Sequence, residues 1–239
     1  MIQARHLRKR FGSVDALRDI SFTAADGCIT GLLGQNGAGK TTTLLLTCGL
    51  VVPDAGTVAV GTDPHGDYRR RLGALLDHKG LYERLTAREN IAYFGRLHGL
   101  EGHALGARVD TVLEILGLEP IADRRTAGFS QGQRMKVALG RAIVHAPTHL
   151  VLDEPTNGLD IPSVHALRDV LRRMRDEGNC IVFSSHVLEH VQALCDTVVI
   201  IANGRVVADG DAATICRQTD RCTLEEAFLA LSAPQVSMS

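Results

Sequence analysis

"CITGLLGQNGAGKTT", residues 28–42, is an apolar run that ends in a glycine-rich turn and opens onto a lysine and two threonines. The turn matches G-x-x-x-x-G-K-[ST] at Gly34, Gly39, Lys40 and Thr41, after a β-rich run and before a helix expected to begin near Thr42. Glycines let the backbone wrap closely around an anion. Successive N–H groups along Gly34, Gln35, Asn36, Gly37, Ala38, Gly39, Lys40, Thr41 and Thr42, together with the helix N-terminus, then supply positive potential for phosphates. Lys40 is expected to reach the β- and γ-phosphates of a nucleotide, and the Thr41 hydroxyl to ligate Mg²⁺. A turn that binds nothing has no use for that lysine and that hydroxyl.

Two further stretches carry chemistry. In "HLVLDEPTNGLD", residues 149–160, an apolar strand delivers Asp153 to its C-terminal end, where a carboxylate can stand beside Mg²⁺, and Glu154 directly after it can polarise an attacking water. In "AGFSQGQRMKVALGRAI", residues 127–143, Val137, Leu139, Ala142 and Ile143 recur at helical spacing, so the helix can dock on a core. The preceding Ser130, Gln131, Gly132 and Gln133 have no evident structural task in the sequence.

The chain's texture changes twice around these motifs. Short β-rich runs alternate with turns and one helix to about residue 80. From about residue 147, "HLVLDE" and "CIVFSS" each lead into helical stretches, which is the alternation of a parallel α/β sheet. Residues 81–146 between them read as mostly helical, opening on a Thr86/Glu89 capping box. The expectation is a single domain over 1–239: an α/β core from 1–80 and 147–215, a helical insertion at 81–146, and a short C-terminal helix and tail at 216–239.

Composition excludes several alternatives. At 239 residues and 45% hydrophobic, the chain can bury about 70% or more of its unfolded surface. A net charge of −1 carries no basic footprint of a nucleic-acid binder. In the arginine-rich "RDVLRRMRDEG", the apolar seam of Val164, Leu167, Leu171 and Met174 marks those charges as a solvated helix face. The six cysteines are irregularly spaced with no C-x-x-C pair, as expected of reduced thiols in a cytosolic protein. The N-terminus lacks the apolar stretch of a signal peptide, and the apolar tracts fall far short of the ~18 residues of a spanning helix. Work at a membrane would therefore need a separate spanning chain.

Taken in order, the motifs resemble the ATP-binding subunit of an ABC transporter: "GQNGAGKTT" as Walker A, "FSQGQ" as the signature, "LVLDE" as Walker B, "NGLD" as the D-loop, and His186 after "IVFSS" as the switch histidine. "GLYERLTARENI" further resembles the exporter subfamily that includes sodium-efflux and drug-efflux ATPases. The resemblance implies a P-loop NTPase core, with a RecA-like parallel sheet, an N-terminal antiparallel β part and an inserted helical subdomain. It also implies two copies, or two closely related cassettes, that sandwich two Mg-ATP molecules, each signature meeting the γ-phosphate held by the other copy. In that scheme Glu154 is the base, His186 orients water and γ-phosphate, Asp160 couples the sites, and Ser130, Gln131, Gly132 and Gln133 complete the partner's site. Phe11 fits the family's adenine-stacking aromatic. The partner implied is an integral membrane permease, with the chain peripheral on the cytoplasmic face of the membrane and no nucleic-acid partner.

The departures matter as much as the matches. The usual signature is Leu-Ser-Gly-Gly-Gln; here Phe129 replaces the leucine and Gln131 the first glycine. "HVLEH", His186 to His190, also fits the H-x-x-E-H zinc pattern, but no third ligand is identifiable. A soluble ABC ATPase acting on ribosomes or DNA usually carries two cassettes or long insertions, and a plain P-loop kinase has no reason for "FSQGQ". The family's Mg²⁺-contacting glutamine is missing, since no glutamine lies between Gln35 and Gln131, and Asp77 in "LGALLDHKGLY" is the positional match. A carboxylate is a stronger ligand for a hard cation than an amide. Asp77→Asn is therefore expected to raise the Mg²⁺ concentration that half-saturates ATPase activity while changing metal-free ATP binding far less. Identical magnesium titrations of the two proteins would remove Asp77 from the metal.

Overall fold

Strands with both faces buried dominate the middle of the chain, and they decide the architecture. The computed structural model of the chain describes residues 1–61, 68–76 and 80–232. In chain order its elements are β1 (Ile2–Phe11), β2 (Val14–Ala24), β3 (Ile29–Leu33), α1 (Lys40–Thr47), β4 (Ala55–Val60), β5 (Leu72–Leu75), α2 (Ala87–Leu97), α3 (Gly102–Leu116), α4 (Gln131–Ile143), β6 (His149–Leu152), α5 (Ile161–Asp176), β7 (Cys180–Ser185), α6 (Leu188–Leu194), β8 (Thr197–Ala202), β9 (Arg205–Gly210), α7 (Ala212–Thr219) and α8 (Leu224–Ser232). Asp77 and the tail after Ser232 lie outside the described residues.

The described strands order as β4-β1-β2-β9-β8-β3-β7-β6-β5. Every residue of β3, β6 and β7 is buried, and these strands pair in parallel with one another and with β5 and β8, as expected of a sheet covered by helices on both faces. β1 pairs antiparallel with β2 and β4, and this N-terminal part joins the rest at one pair, Asp19 with Arg205. The chain thus has the P-loop NTPase fold: a parallel core sheet with an antiparallel β part at one edge.

The period-2 alternation of the core strands divides the interior in two. Leu150, Leu152, Ile181 and Phe183 face a core shared with α2, α3, α4 and α5, whereas Val151, Val182 and Leu32 face a second core shared with α1 and the antiparallel part. α2, α3 and α4 pack on one another and lie between β5 and β6 in the chain. The capping box expected at α2 is present, with Thr86 and Glu89 satisfying each other's backbone N–H groups. His149, the first residue of β6, is buried and shares a hydrogen bond with Thr148 Oγ1 at 2.9 Å.

Three details differ from the sequence reading. α1 begins at Lys40 rather than Thr42, because Gly39 at φ 111° is itself the N-cap. α7 was not foreseen: it buries only Ile215, too weak a periodic signal, and it crosses the expected boundary at 215/216. The third is the turn before α4. Ser130 Oγ accepts from Gln133 N at 3.2 Å and Gln133 Oε1 accepts from Ser130 N at 3.0 Å, so the turn has a structural task after all as a capping box.

All six cysteines are free thiols, and burial pushes Cys48 up to about 12 and Cys180 up to about 11, leaving them poor nucleophiles at neutral pH. Beyond α4, His145 stacks on His98 with ring centroids 3.6 Å apart. Its Nε2 donates to Leu72 O at 3.3 Å, and its buried Nδ1 has no partner among the described residues. Burial, reinforced by His98 and opposed by the Leu72 bond, pushes this imidazole down to about 4. An unfolded histidine takes up its proton near pH 6.5. The stability contributed by neutral His145 is therefore complete above about pH 6.5 and is lost progressively as pH falls toward about 4. The thermal midpoint should drop between pH 7 and pH 5, and His145→Leu should flatten that drop; an unchanged slope would show that other groups carry it.

Candidate nucleotide site

The phosphate loop is fixed by close backbone approaches. β3 delivers Gly34, where an added Cβ would lie 2.5 Å from Ile201 O; at Gly39 it would lie 2.5 Å from Leu17 Cδ2 and 3.0 Å from Ala16 O. The loop is pinned between the start of β2 and the end of β8, and Gly204 N donates to Ala38 O at 3.1 Å. Only glycine fits at 34 and 39, and at 39 the left-handed φ adds a second reason. Gln35, Asn36 and Gly37 form the exposed arc of this loop, Ala38 is buried beneath it, and Thr41 and Thr42 follow Lys40 in the first turn of α1.

Lys40, Thr41, Asp153, Glu154 and His186 come together at the C-terminal ends of β3, β6 and β7. The buried Lys40 side chain donates from Nζ to Gly34 O at 2.8 Å and lies 3.4 Å from Glu154 Oε1. Thr41 Oγ1 donates to Asp153 Oδ2 at 2.7 Å across 112 residues of chain. His186 Nδ1 is 2.9 Å from Glu154 Oε2. Glu154 stands at φ 45°, a conformation that costs a non-glycine residue about 1–3 kcal/mol, and its N–H donates to Ser184 Oγ at 2.9 Å.

Ser184 is the residue that sequence reasoning missed. Fully buried in β7, it donates to Asp153 Oδ1 while accepting from Glu154 N, so one hydroxyl ties the Asp153 carboxylate to the Glu154 backbone. The only signal was a pair of small hydroxyl residues in "FSSH", at the end of an otherwise apolar run. Ser184→Ala strands the part-buried Glu154 N–H and one Asp153 oxygen and is expected to destabilise the fold by about 1 kcal/mol. It should also lower the rate of hydrolysis more than it changes ATP affinity. Thermal unfolding and steady-state kinetics of the variant check both, and a rate equal to the unaltered chain would reduce Ser184 to a packing residue.

The turn at Ser130, Gln131, Gly132 and Gln133 lies elsewhere. Ser130 is exposed, and Phe129 is buried in the core in place of the usual leucine. Gln131 Nε2 donates to Asn157 O at 3.1 Å, and a Cβ on Gly132 would lie 2.3 Å from Ser163 Oγ. Asp160 N-caps α5 by accepting from Ser163 N at 3.0 Å, and its bonds to Ser163 hold its carboxyl below the usual range. Among the described residues, none of the turn's hydrogen bonds reaches the Lys40 cluster. Phe11 ends β1, is itself 48% exposed, and has Lys9 Nζ 5.5 Å from its ring centroid. It sits on the hairpin whose second strand meets the phosphate loop at Ala16 and Leu17. The two histidines of "HVLEH" face different partners, His186 toward Glu154 and His190 Nδ1 toward Thr156 Oγ1 at 2.7 Å. Among the described residues no group of three metal-ligating side chains gathers around them.

Residues 17–157 match the family described as ABC transporter. The ABC transporter ATP-binding protein NatA of Bacillus subtilis (strain 168) is 42% identical over 212 residues, covering 87% of this chain and 86% of that protein. The Nod factor export ATP-binding protein I of Burkholderia lata is 37% identical over 233 residues, covering 95% of this chain and 76% of that protein. A solved structure of an ATP-binding subunit of an ABC transporter superposes with a TM-score of 0.87 at 30% identity, covering 97% of this chain and 99% of the other.

Proposed function

This chain belongs to the ABC transporter family as an ATP-binding, ATP-hydrolysing subunit of the exporter type, and we propose that two copies sandwich two ATP molecules to drive a separate membrane permease. The observation that carries this reading is the split site. Lys40, Thr41, Asp153, Glu154 and His186 meet at the strand ends, while the Ser130 turn, which has the chemistry of an anion receptor, is exposed and among the described residues shares no hydrogen bond with them. A second copy that brings this turn to the nucleotide gives that exposed receptor its use.

Each residue then has a role in proportion to its position. The N–H groups of Gly34 through Thr42 and the Lys40 ammonium hold the β- and γ-phosphates, and the exposed Phe11 ring stacks on the base. The Thr41 hydroxyl and Asp153 carboxylate, 2.7 Å apart beside the phosphate loop, are the hard oxygen donors that fit Mg²⁺, with Asp77 as a third candidate. Bound there, Mg²⁺ neutralises charge that develops across the β- and γ-phosphate oxygens. Glu154 takes the proton of the attacking water, and His186, 2.9 Å from Glu154, orients that water and the γ-phosphate. Ser130, Gly132 and the N-terminus of α4 face the partner's γ-phosphate, and Asp160 lies at the junction between sites. In this scheme residues 81–146 act as the helical subdomain carrying the signature, on the core of 1–80 and 147–215.

Among the described residues no helix is long and apolar enough to cross a membrane. We place the chain on the cytoplasmic face of the membrane, bound to that permease. Affinity purification from solubilised membranes should bring down a multi-span protein. Ribosomal proteins or DNA in its place would point to the soluble ATPase alternative.

A further inference from the structure

Gln131 is the point at which this chain departs from the usual signature, and its side chain has a specific destination. Ser130 and Gln133 are occupied in capping each other, which leaves Gln131 to reach out of the turn. Its amide Nε2 donates to Asn157 O at 3.1 Å. Gly158 follows at φ +69°, where an added Cβ would lie 2.3 Å from that same amide nitrogen, so the loop is closed tightly on the Gln131 side chain. On the other side of the loop, Asn157 N donates to Glu154 O at 3.0 Å. A path therefore runs from Ser130 through the Gln131 side chain and the two successive peptides that flank Asn157 to the Glu154 backbone carbonyl. A glycine at position 131 could form none of the side-chain contacts.

We propose that Gln131 is a positioning residue that couples the two ATP sites of a dimer, tying the turn that meets the partner's nucleotide to the loop that carries this chain's own Glu154. The coupling rests on the two-copy reading above. When the partner's γ-phosphate draws the Ser130 turn into place, the Asn157 carbonyl is drawn with it, and the Glu154 segment is held in its left-handed conformation. Each site is thereby informed of the other's occupancy through one hydrogen bond to a backbone carbonyl, a group that no substitution in the loop removes.

Gln131→Met has the same reach without the donor, and Gln131→Lys restores an N–H donor. For loss of one such bond, Gln131→Met should lower kcat about 3- to 10-fold while leaving the KM for ATP within about 2-fold, and Gln131→Lys should recover most of the rate. A purely structural role would lower the thermal midpoint, leave kcat per folded chain unchanged and distinguish little between the two variants. Unchanged kcat in Gln131→Met, or equal loss in both variants, would overturn the coupling role. The premise is separated by a second measurement on Glu154→Gln with Mg-ATP. If that variant alone stays monomeric with nucleotide bound, the two-copy reading fails and the coupling falls with it. If it dimerises, adding Gln131→Met should keep the dimer and speed amide hydrogen exchange in residues 157–160. Unchanged exchange overturns the proposal, and so does loss of the dimer, which would show Gln131 acting directly on the partner's nucleotide.

Discussion

Glu154→Gln should lose about 10²- to 10⁴-fold in ATP hydrolysis, the usual cost of removing a general base, while still binding ATP and persisting as a dimer in its presence. The substitution keeps shape and hydrogen-bonding capacity at a residue held at φ 45° by Ser184. It removes the negative charge that lies 3.4 Å from Lys40 and faces His186. Lys40 is then free of its ion pair and remains available to phosphate, so affinity should be maintained or rise. With hydrolysis slow, the event that separates the copies is absent, and light scattering should register twice the monomer mass. A rate near that of the unaltered chain would move the base elsewhere.

Ser130→Arg is expected to abolish most hydrolysis while leaving the affinity of the isolated chain for ATP nearly intact. Ser130 caps α4, so the exchange costs helix stability on the order of 1 kcal/mol, which a chain with two large buried cores can absorb. In the same chain the turn shares no hydrogen bond with Lys40, Thr41 or Glu154 among the described residues, so direct binding is untouched. Across the dimer the change removes a donor aimed at developing phosphate charge and substitutes a bulky side chain. Loss of a single such donor typically costs about 10²- to 10³-fold in rate. Nucleotide binding followed by fluorescence, set against steady-state hydrolysis, separates the two effects. A parallel loss of both would place Ser130 in its own chain's site.

What the sequence disclosed and what it withheld follow from how local each feature is. The phosphate loop, Asp153, Glu154 and His186 could be read because their spacing is set by one turn or one strand end, and the strand-turn-helix context was visible in the same few residues. Ser184 could not, because a serine at the end of a strand acquires meaning only when β7 lies beside β6 and brings its hydroxyl to the Asp153 carboxylate and the Glu154 backbone N–H. The S-x-x-Q spacing of Ser130 and Gln133 carries a capping role alongside the turn's outward chemistry. The two roles coexist, since the cap orders the same N-terminus that meets an anion. The direction of Gln131 depends on where α4 and α5 come to rest, a tertiary fact with no local sequence signature. The Ala16–Gly39 approach that locates the Phe11 hairpin beside the loop is likewise tertiary.

The central claim is that each ATP site is built from two copies of the chain, and mixing two inactive variants tests it most directly. Lys40→Ala disables the phosphate loop and Ser130→Arg the turn, so neither homodimer contains an intact composite site. A mixed dimer contains one, formed by the phosphate loop of the Ser130→Arg copy and the turn of the Lys40→Ala copy. Hydrolysis by the mixture should rise well above that of either variant alone and grow with total protein concentration as mixed dimers form. A mixture no more active than the average of its parts, with both proteins folded and the Ser130→Arg copy binding ATP, would contradict the shared site.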